Sequence, residues 1–154
     1  MMMKKIIILC IGIYIFSACG NTESKNSHTN NNVYNTFIEH KKQWDNRQTQ
    51  NYAFVVKKTC FCPYEEKIQV TVENNLVIEA KYIPSNSVID TGMKQKNIDG
   101  YFDMIQEALD NNVYQLTVQY DETYGYPKEI YIDYDEQMVD EEVSYTLTDF
   151  VSYD

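Results

Sequence analysis

Two kinds of apolar spacing alternate along the chain. In "VYNTFIEHKKQW" Val33, Phe37 and Trp44, with Tyr34 and Ile38 beside them, recur at three-to-four-residue intervals and share a helical face, while His40, Lys41, Lys42 and Gln43 fall mostly on the other. "NIDGYFDMIQEALDNN" repeats the pattern more cleanly through Ile98, Tyr101, Phe102, Ile105 and Leu109, with Asn97 placed to cap the start and Asn111 or Asn112 to stop it. After each helix the period drops to two. "YAFVVKK" and "KIQVTVENNLVIEAKYI" read as three strands, the last two joined by Asn74-Asn75, a pair that tolerates the positive φ of a tight hairpin. "VYQLTVQY", "KEIYIDY" and "EVSYTLTDF" read as three more. The predicted plan is helix, strand, strand, strand, twice over, and aligning the copies sets the loop "CFCPYEE" beside "TYGYPKE". The fold class expected is α+β, an antiparallel sheet with both helices packed on one face and the other left to water. Tyrosine is abundant, with fourteen residues, and is expected on that open face.

Ahead of this plan the pattern is different. Lys4 and Lys5 precede an apolar run from Ile6 to Phe16 that ends in Ser17-Ala18-Cys19, which predicts a secretory signal over residues 1–18. A membrane span needs about 20 apolar residues, and this run gives out too early. Phe16-Ser17-Ala18-Cys19 resembles the end of a bacterial lipoprotein signal, in which the cysteine is acylated, palmitate included, and becomes the first mature residue. Phe16 stands where that pattern usually has an aliphatic residue. An ordinary cleaved signal with Cys19 incidental, or an uncleaved anchor, are the alternatives. Several acyl chains would hold the protein firmly to a membrane. Residues 19–32, rich in Asn, Ser and Thr, are expected to form a lipidated, disordered tether reaching up to roughly 40 Å, leaving a single domain over 33–154.

Charge narrows the partners. The formal net charge is −10, and because Lys4 and Lys5 leave with the signal the mature value is −12, which repels nucleic acid and makes anionic headgroups poor partners for the domain. Four cysteines are encoded; with Cys10 removed and Cys19 lipidated, Cys60 and Cys62 remain as an even pair in an oxidising compartment. In extended chain their Cα atoms lie about 6.6 Å apart, near the upper limit for a disulfide, so a bulge or turn has to draw them together, and Pro63 fits such a turn. Three readings compete. A local disulfide is favoured by the compartment. A redox pair is possible chemically, with Glu65 and Glu66 raising a thiol pKa where Lys57 and Lys58 lower it. A zinc site would need two more ligands, and His28 and His40 lie elsewhere.

Two further stretches carry candidate chemistry. "DYDEQMVDEE" offers Asp133, Asp135, Asp140 and Glu141 as weak cation ligands, without the glycine and spacing of an EF-hand loop, so a solvated acidic turn is the plainer reading. Tyr124, Gly125, Tyr126 and Pro127 gather at a loop tip, where exposed aromatics can grip a peptide, though Gly and Pro also simply make turns. No catalytic constellation stands out: there is no Ser-His-Asp order, no phosphate loop and no His pair, so no enzyme activity and no cofactor are expected.

Together "YAFVVKKTCFCP", the hairpin "VTVENNLVIEAKY", the helix "YFDMIQEAL" and "YDETYGYPKEIYIDYD" with "DEEVSYTLTDF" resemble the bacterial envelope proteins grouped as DUF6174, a domain of unknown function. The order of elements is also similar to tandem helix-plus-sheet modules of the PepSY and β-lactamase-inhibitor-protein-like kind. What the resemblance implies is location and fold. The expectation is a lipid-anchored lipoprotein of the bacterial envelope, on the outer membrane or cell surface if the cell is Gram-negative. It would bind a protein or peptide without catalysis, through Phe61 and Pro63 in the Cys60–Cys62 loop together with Tyr124 to Pro127. A thiol-disulfide protein and a Ca²⁺-binding module are the alternatives.

Overall fold

The computed structural model describes residues 25–62, 67–89 and 95–154. Helix α1 (Lys25–Arg47) leads into strands β1 (Tyr52–Cys60), β2 (Lys67–Glu73) and β3 (Leu76–Ile83), and helix α2 (Ile98–Asp110) into β4 (Gln115–Tyr120), β5 (Pro127–Asp133) and β6 (Val143–Ser152). All six strands form one antiparallel sheet in the order β3-β2-β1-β6-β5-β4. The α+β class and the doubled order of elements are as the periodicity predicts. Local signals also read through: Asn74 and Asn75 take φ of 49° and 60° in the β2–β3 turn. The Asn97 side chain accepts from Gly100 N–H at 2.9 Å, and Asn111 closes α2.

Both helices bury their stripes in one core on one face of the sheet. Phe37 and Trp44 of α1 and Ile98, Tyr101, Phe102, Ile105 and Ala108 of α2 meet Tyr52, Phe54 and Val56 of β1, Val70 and Val72 of β2, and Ile130, Ile132 and Leu147 of β5 and β6. Tyr34 and Ile38, on the flank of the α1 stripe, stay about half exposed at 46% and 45%. Burying a large aromatic or aliphatic side chain contributes about 1.5–3 kcal/mol each, so this single cluster supplies most of the driving force.

Three expectations change. Helix α1 begins at Lys25, so residues 25–32 are helical where a disordered tether is expected. Once the packed turns around Phe37 are nucleated, extending a helix adds a hydrogen bond for each residue fixed, and even modest helix formers follow. Cys19 and residues 20–24 lie outside the described residues. Next, the tyrosines are not mainly on the open face: Tyr52, Tyr101 and Tyr126 are buried under the helices. A bulge adds to this. The β1–β6 register shifts between Ala53 and Val55, and Asp149 sits at φ 53°. Strict alternation from Leu147 would send Phe150 to the open face. The bulge returns it to the core, where it stacks on Tyr126 at 4.7 Å, Tyr124 at 4.8 Å and Tyr52 at 5.5 Å.

The repeat, thirdly, is one of order and not of shape. The second unit sits three strands along the sheet from the first, yet β1 and β4 point in opposite directions while both helices cover the same face. No rotation does that to a rigid body. The β1–β2 connection with its cysteines therefore lies at one end of the sheet, and the β4–β5 connection with its tyrosines lies at the other.

One buried contact fixes where α2 starts. The Tyr52 side chain is fully buried, and its hydroxyl oxygen accepts the Ile98 N–H at 3.0 Å, one of the helix-initial donors with no partner inside the helix. Burial holds this phenol well above its ordinary titration range. Beside it Asp99 accepts from Trp44 Nε1 at 3.0 Å and from Asn75 Nδ2 at 2.6 Å, joining α1, the β2–β3 turn and α2. Tyr52→Phe leaves the Ile98 N–H without an acceptor in the core, and we expect unfolding free energy to fall by about 1–3 kcal/mol in a urea titration. An unchanged midpoint would show that the hydroxyl does not hold the helix start.

Candidate interaction surface

The geometry of Cys60, Phe61 and Cys62 follows from chain direction. β1 ends as Cys60 pairs with Val143 at the start of β6, and there the chain turns sharply, Cys62 N–H donating to Cys60 C=O at 2.7 Å. The turn brings the two Cα atoms to 5.2 Å, well inside the extended spacing, and the sulfurs are bonded. Phe61, between them, projects with 80% of its surface exposed. A closed three-residue ring gives such a side chain few ways to fold back. Pro63 lies outside the described residues.

Because β5 and β6 meet at Ile132 and Val143, the loop 134–142 rises at this same end. Its shape is set by its own carboxylates. Glu141 accepts from the N–H groups of Tyr134 at 3.1 Å and Asp135 at 2.8 Å, and Asp135 accepts from Gln137 N–H at 2.9 Å. These bonds hold Met138 and Val139 outward, the latter 82% exposed. Tyr114, just before β4, joins the loop through its N–H to Tyr134 C=O at 3.3 Å and its hydroxyl to Glu136 at 3.2 Å. Behind Tyr114 a groove of about 490 Å³ opens between the two helices and β4, lined by Val33, Tyr34, Leu109, Val113 and Leu116 among others.

The loop 134–142 is acidic, while Lys58 and Lys67 stand exposed on the neighbouring ends of β1 and β2. Asp133 has one carboxylate oxygen enclosed with no hydrogen-bond partner. Burial first, then the charge of Glu141 and a shared hydrogen bond with it, then Glu142, hold the Asp133 carboxyl above the usual carboxylate range. Among the described residues no three His, Cys, Asp or Glu side chains are grouped so as to hold a metal ion. The structure does not gather Asp133, Asp135, Asp140 and Glu141 into such a group: Glu141 and Asp135 accept from the loop's own backbone.

The tyrosine loop does something else. Tyr126 is 5% exposed, Pro127 is fully buried, and Tyr124 lies between Phe150 and the Arg47 guanidinium, 5.2 Å from its ring centre. Gln43 donates to Glu122 C=O at 2.8 Å and Arg47 donates to Thr123 C=O. Gly125, at φ 85°, passes so close beneath α1 that a Cβ would stand 2.8 Å from His40 C=O. Tyr124, Gly125, Tyr126 and Pro127 thus clamp the end of α1 and cannot share a surface with Phe61. The acidic loop is the neighbour that sequence alignment of the two units misses; counting strand directions from the β1–β6 pairing finds it.

Among the described residues no helix is long and apolar enough to cross a membrane. Gly125→Ala should destabilise by about 1–3 kcal/mol, through φ strain and the His40 clash, measured by thermal or urea unfolding; a neutral effect would mean that the loop is not clamped. A carboxyl raised by folding weakens the fold while ionised, and the penalty is relieved as pH falls through its folded pKa. Asp133→Asn should therefore raise stability over wild type at pH 7 and lose that advantage by about pH 4. An advantage persisting in acid would refute the assignment.

Comparison with known proteins gives one match: the family model described as "Family of unknown function (DUF6174)" covers residues 36–152. No curated protein and no solved structure matches the chain.

Proposed function

Since this chain belongs to the DUF6174 family, whose function is unknown, its role has to be argued from its own surface, and we propose that it is a lipid-anchored lipoprotein of the bacterial envelope that binds a protein or peptide, without catalysis, at its disulfide end. The observation that carries the reading is the coincidence at one end of the sheet of Phe61 and Val139, 80% and 82% exposed, with Met138 at 54%. Large apolar side chains exposed together at one end of a domain are costly to leave in water and point to a recognition surface. Around it stand Asp135, Glu136 and Asp140, exposed carboxylates that steer a basic partner and reject an acidic one.

The anchor is supported by the Lys4-Lys5, apolar run and Ser17-Ala18-Cys19 pattern. The similarity of element order to PepSY and β-lactamase-inhibitor-protein-like modules belongs to the same reading and assigns no function by itself. In this reading the disulfide shapes a loop. Its chain-entropy contribution for so small a ring is only about 1.6 kcal/mol, too little to hold a domain together.

The test separates loop shape from global stability. Phe61→Ala should leave the urea midpoint unchanged and weaken partner capture at least tenfold, as about 1.4 kcal/mol or more is lost at an anchor residue. Cys60→Ser with Cys62→Ser should weaken capture while costing no more than about 2 kcal/mol of stability. Capture indifferent to both changes would remove the disulfide end from the binding surface. Alkylation of native protein should modify Cys60 and Cys62 only after strong reductant; ready alkylation would favour the redox reading. Intact mass should show an acyl adduct that Cys19→Ser abolishes.

A further inference from the structure

The direction of α1 constrains where the partner sits. Its Arg47 end is clamped by the β4–β5 loop, and its Val33-Tyr34 turn lines the groove at the start of β4. The helix thus leaves the domain at the disulfide end. From Val33 back to Lys25 it continues for two more turns, about 12 Å at 1.5 Å per residue. The six residues from Lys25 back to Cys19 span at most about 22 Å.

We propose that the disulfide end faces the membrane and that its partner is a membrane-embedded protein presenting Lys or Arg side chains around an apolar socket. The inference rests on the lipid anchor proposed above. Given that anchor, the Val33 turn stands within about 35 Å of the lipid surface, at the same end of the sheet as Phe61 and Val139. The Tyr124 loop lies a strand's length farther, about 25–30 Å more. A soluble partner diffusing in from the far side would meet the clamped, largely buried tyrosine loop first. A partner lying in the membrane meets the exposed apolar tip. Charge argues for a protein over the bilayer itself: the mature chain carries −12, and the loop bearing Val139 presents Asp135, Glu136 and Asp140, so anionic headgroups repel the loop that a basic protein surface attracts, with Lys58 and Lys67 standing apart from it on the ends of β1 and β2.

The experiment uses the full chain in its native membranes, with a photo-cross-linking residue replacing Phe61, Val139 or, as a far-end control, Asn74. Adducts at 61 and 139, absent at 74, should remain with the membrane after alkaline carbonate extraction and contain an integral membrane protein. A soluble protein in the adduct would overturn the proposal while leaving binding at this end intact; lipid alone would overturn both. No adduct at 61 or 139 would overturn the binding reading itself. Orientation is read separately in proteoliposomes, by energy transfer from a fluorophore at 139 or at 74 to headgroup-labelled lipid. Transfer should be severalfold stronger from 139. Equal or reversed transfer refutes the orientation, and a chain whose mass shows no acyl adduct on Cys19 refutes the anchor on which it rests.

Discussion

The pairing of β1 with β6 is the constraint on which the other features depend. It joins β1 to β6 through eight facing pairs of residues from Tyr52–Ser152 to Cys60–Val143, and among the described residues it is the only strand pairing in the sheet that no hairpin connection brings about. Once β6 runs antiparallel to β1, every later direction is fixed. β5 must climb toward the cysteines, β4 must descend, and the acidic loop is lifted beside Phe61 while the tyrosine loop is sent beneath α1.

The two ends of the sheet have consequently been built for different work. At one, aromatic rings close on one another: Trp44 meets Tyr52 edge-on at 5.5 Å, Phe150 stacks with Tyr126, and Asp99 gathers an indole and an amide. Asp154 extends this end, its carboxylate held below the usual range first by the N–H of Asn51 and also by the Asn51 amide and Gln50 N–H. At the other end apolar side chains stand in water and the polar groups turn inward to shape loops. Close packing and exposed apolar surface are separated along the strand axis, so a change at Phe61 leaves the packed end untouched.

What could be read from sequence was whatever depends on near neighbours. The helical period gave the helices and period two the strands; Asn74-Asn75 and Asn97 act within a few residues of themselves and were visible for that reason. The α+β class followed. The candidate site was legible only in half. Phe61 sits between two cysteines, which marks it, but Val139 gains its meaning from the direction of a strand far earlier in the chain. Alternation alone misplaces Phe150, because a single positive-φ residue, Asp149, reverses the faces after it. The start of α1 was set late because Asn and Ser are weak helix formers, and propensity does not register the packed turns downstream that carry them.

A sheet closed by its last strand also has an order of assembly. As the chain emerges from its N-terminus, β1 can pair with β2 while its other edge remains bare until Val143–Ser152 arrives. Neither half can complete the shared core alone, since α1 is covered by Tyr126 and Phe150 from the far end of the sequence. Such non-local closure delays folding until residues 143–152 have been made. A polypeptide that cannot finish its sheet early is one that stays threadable for most of its length.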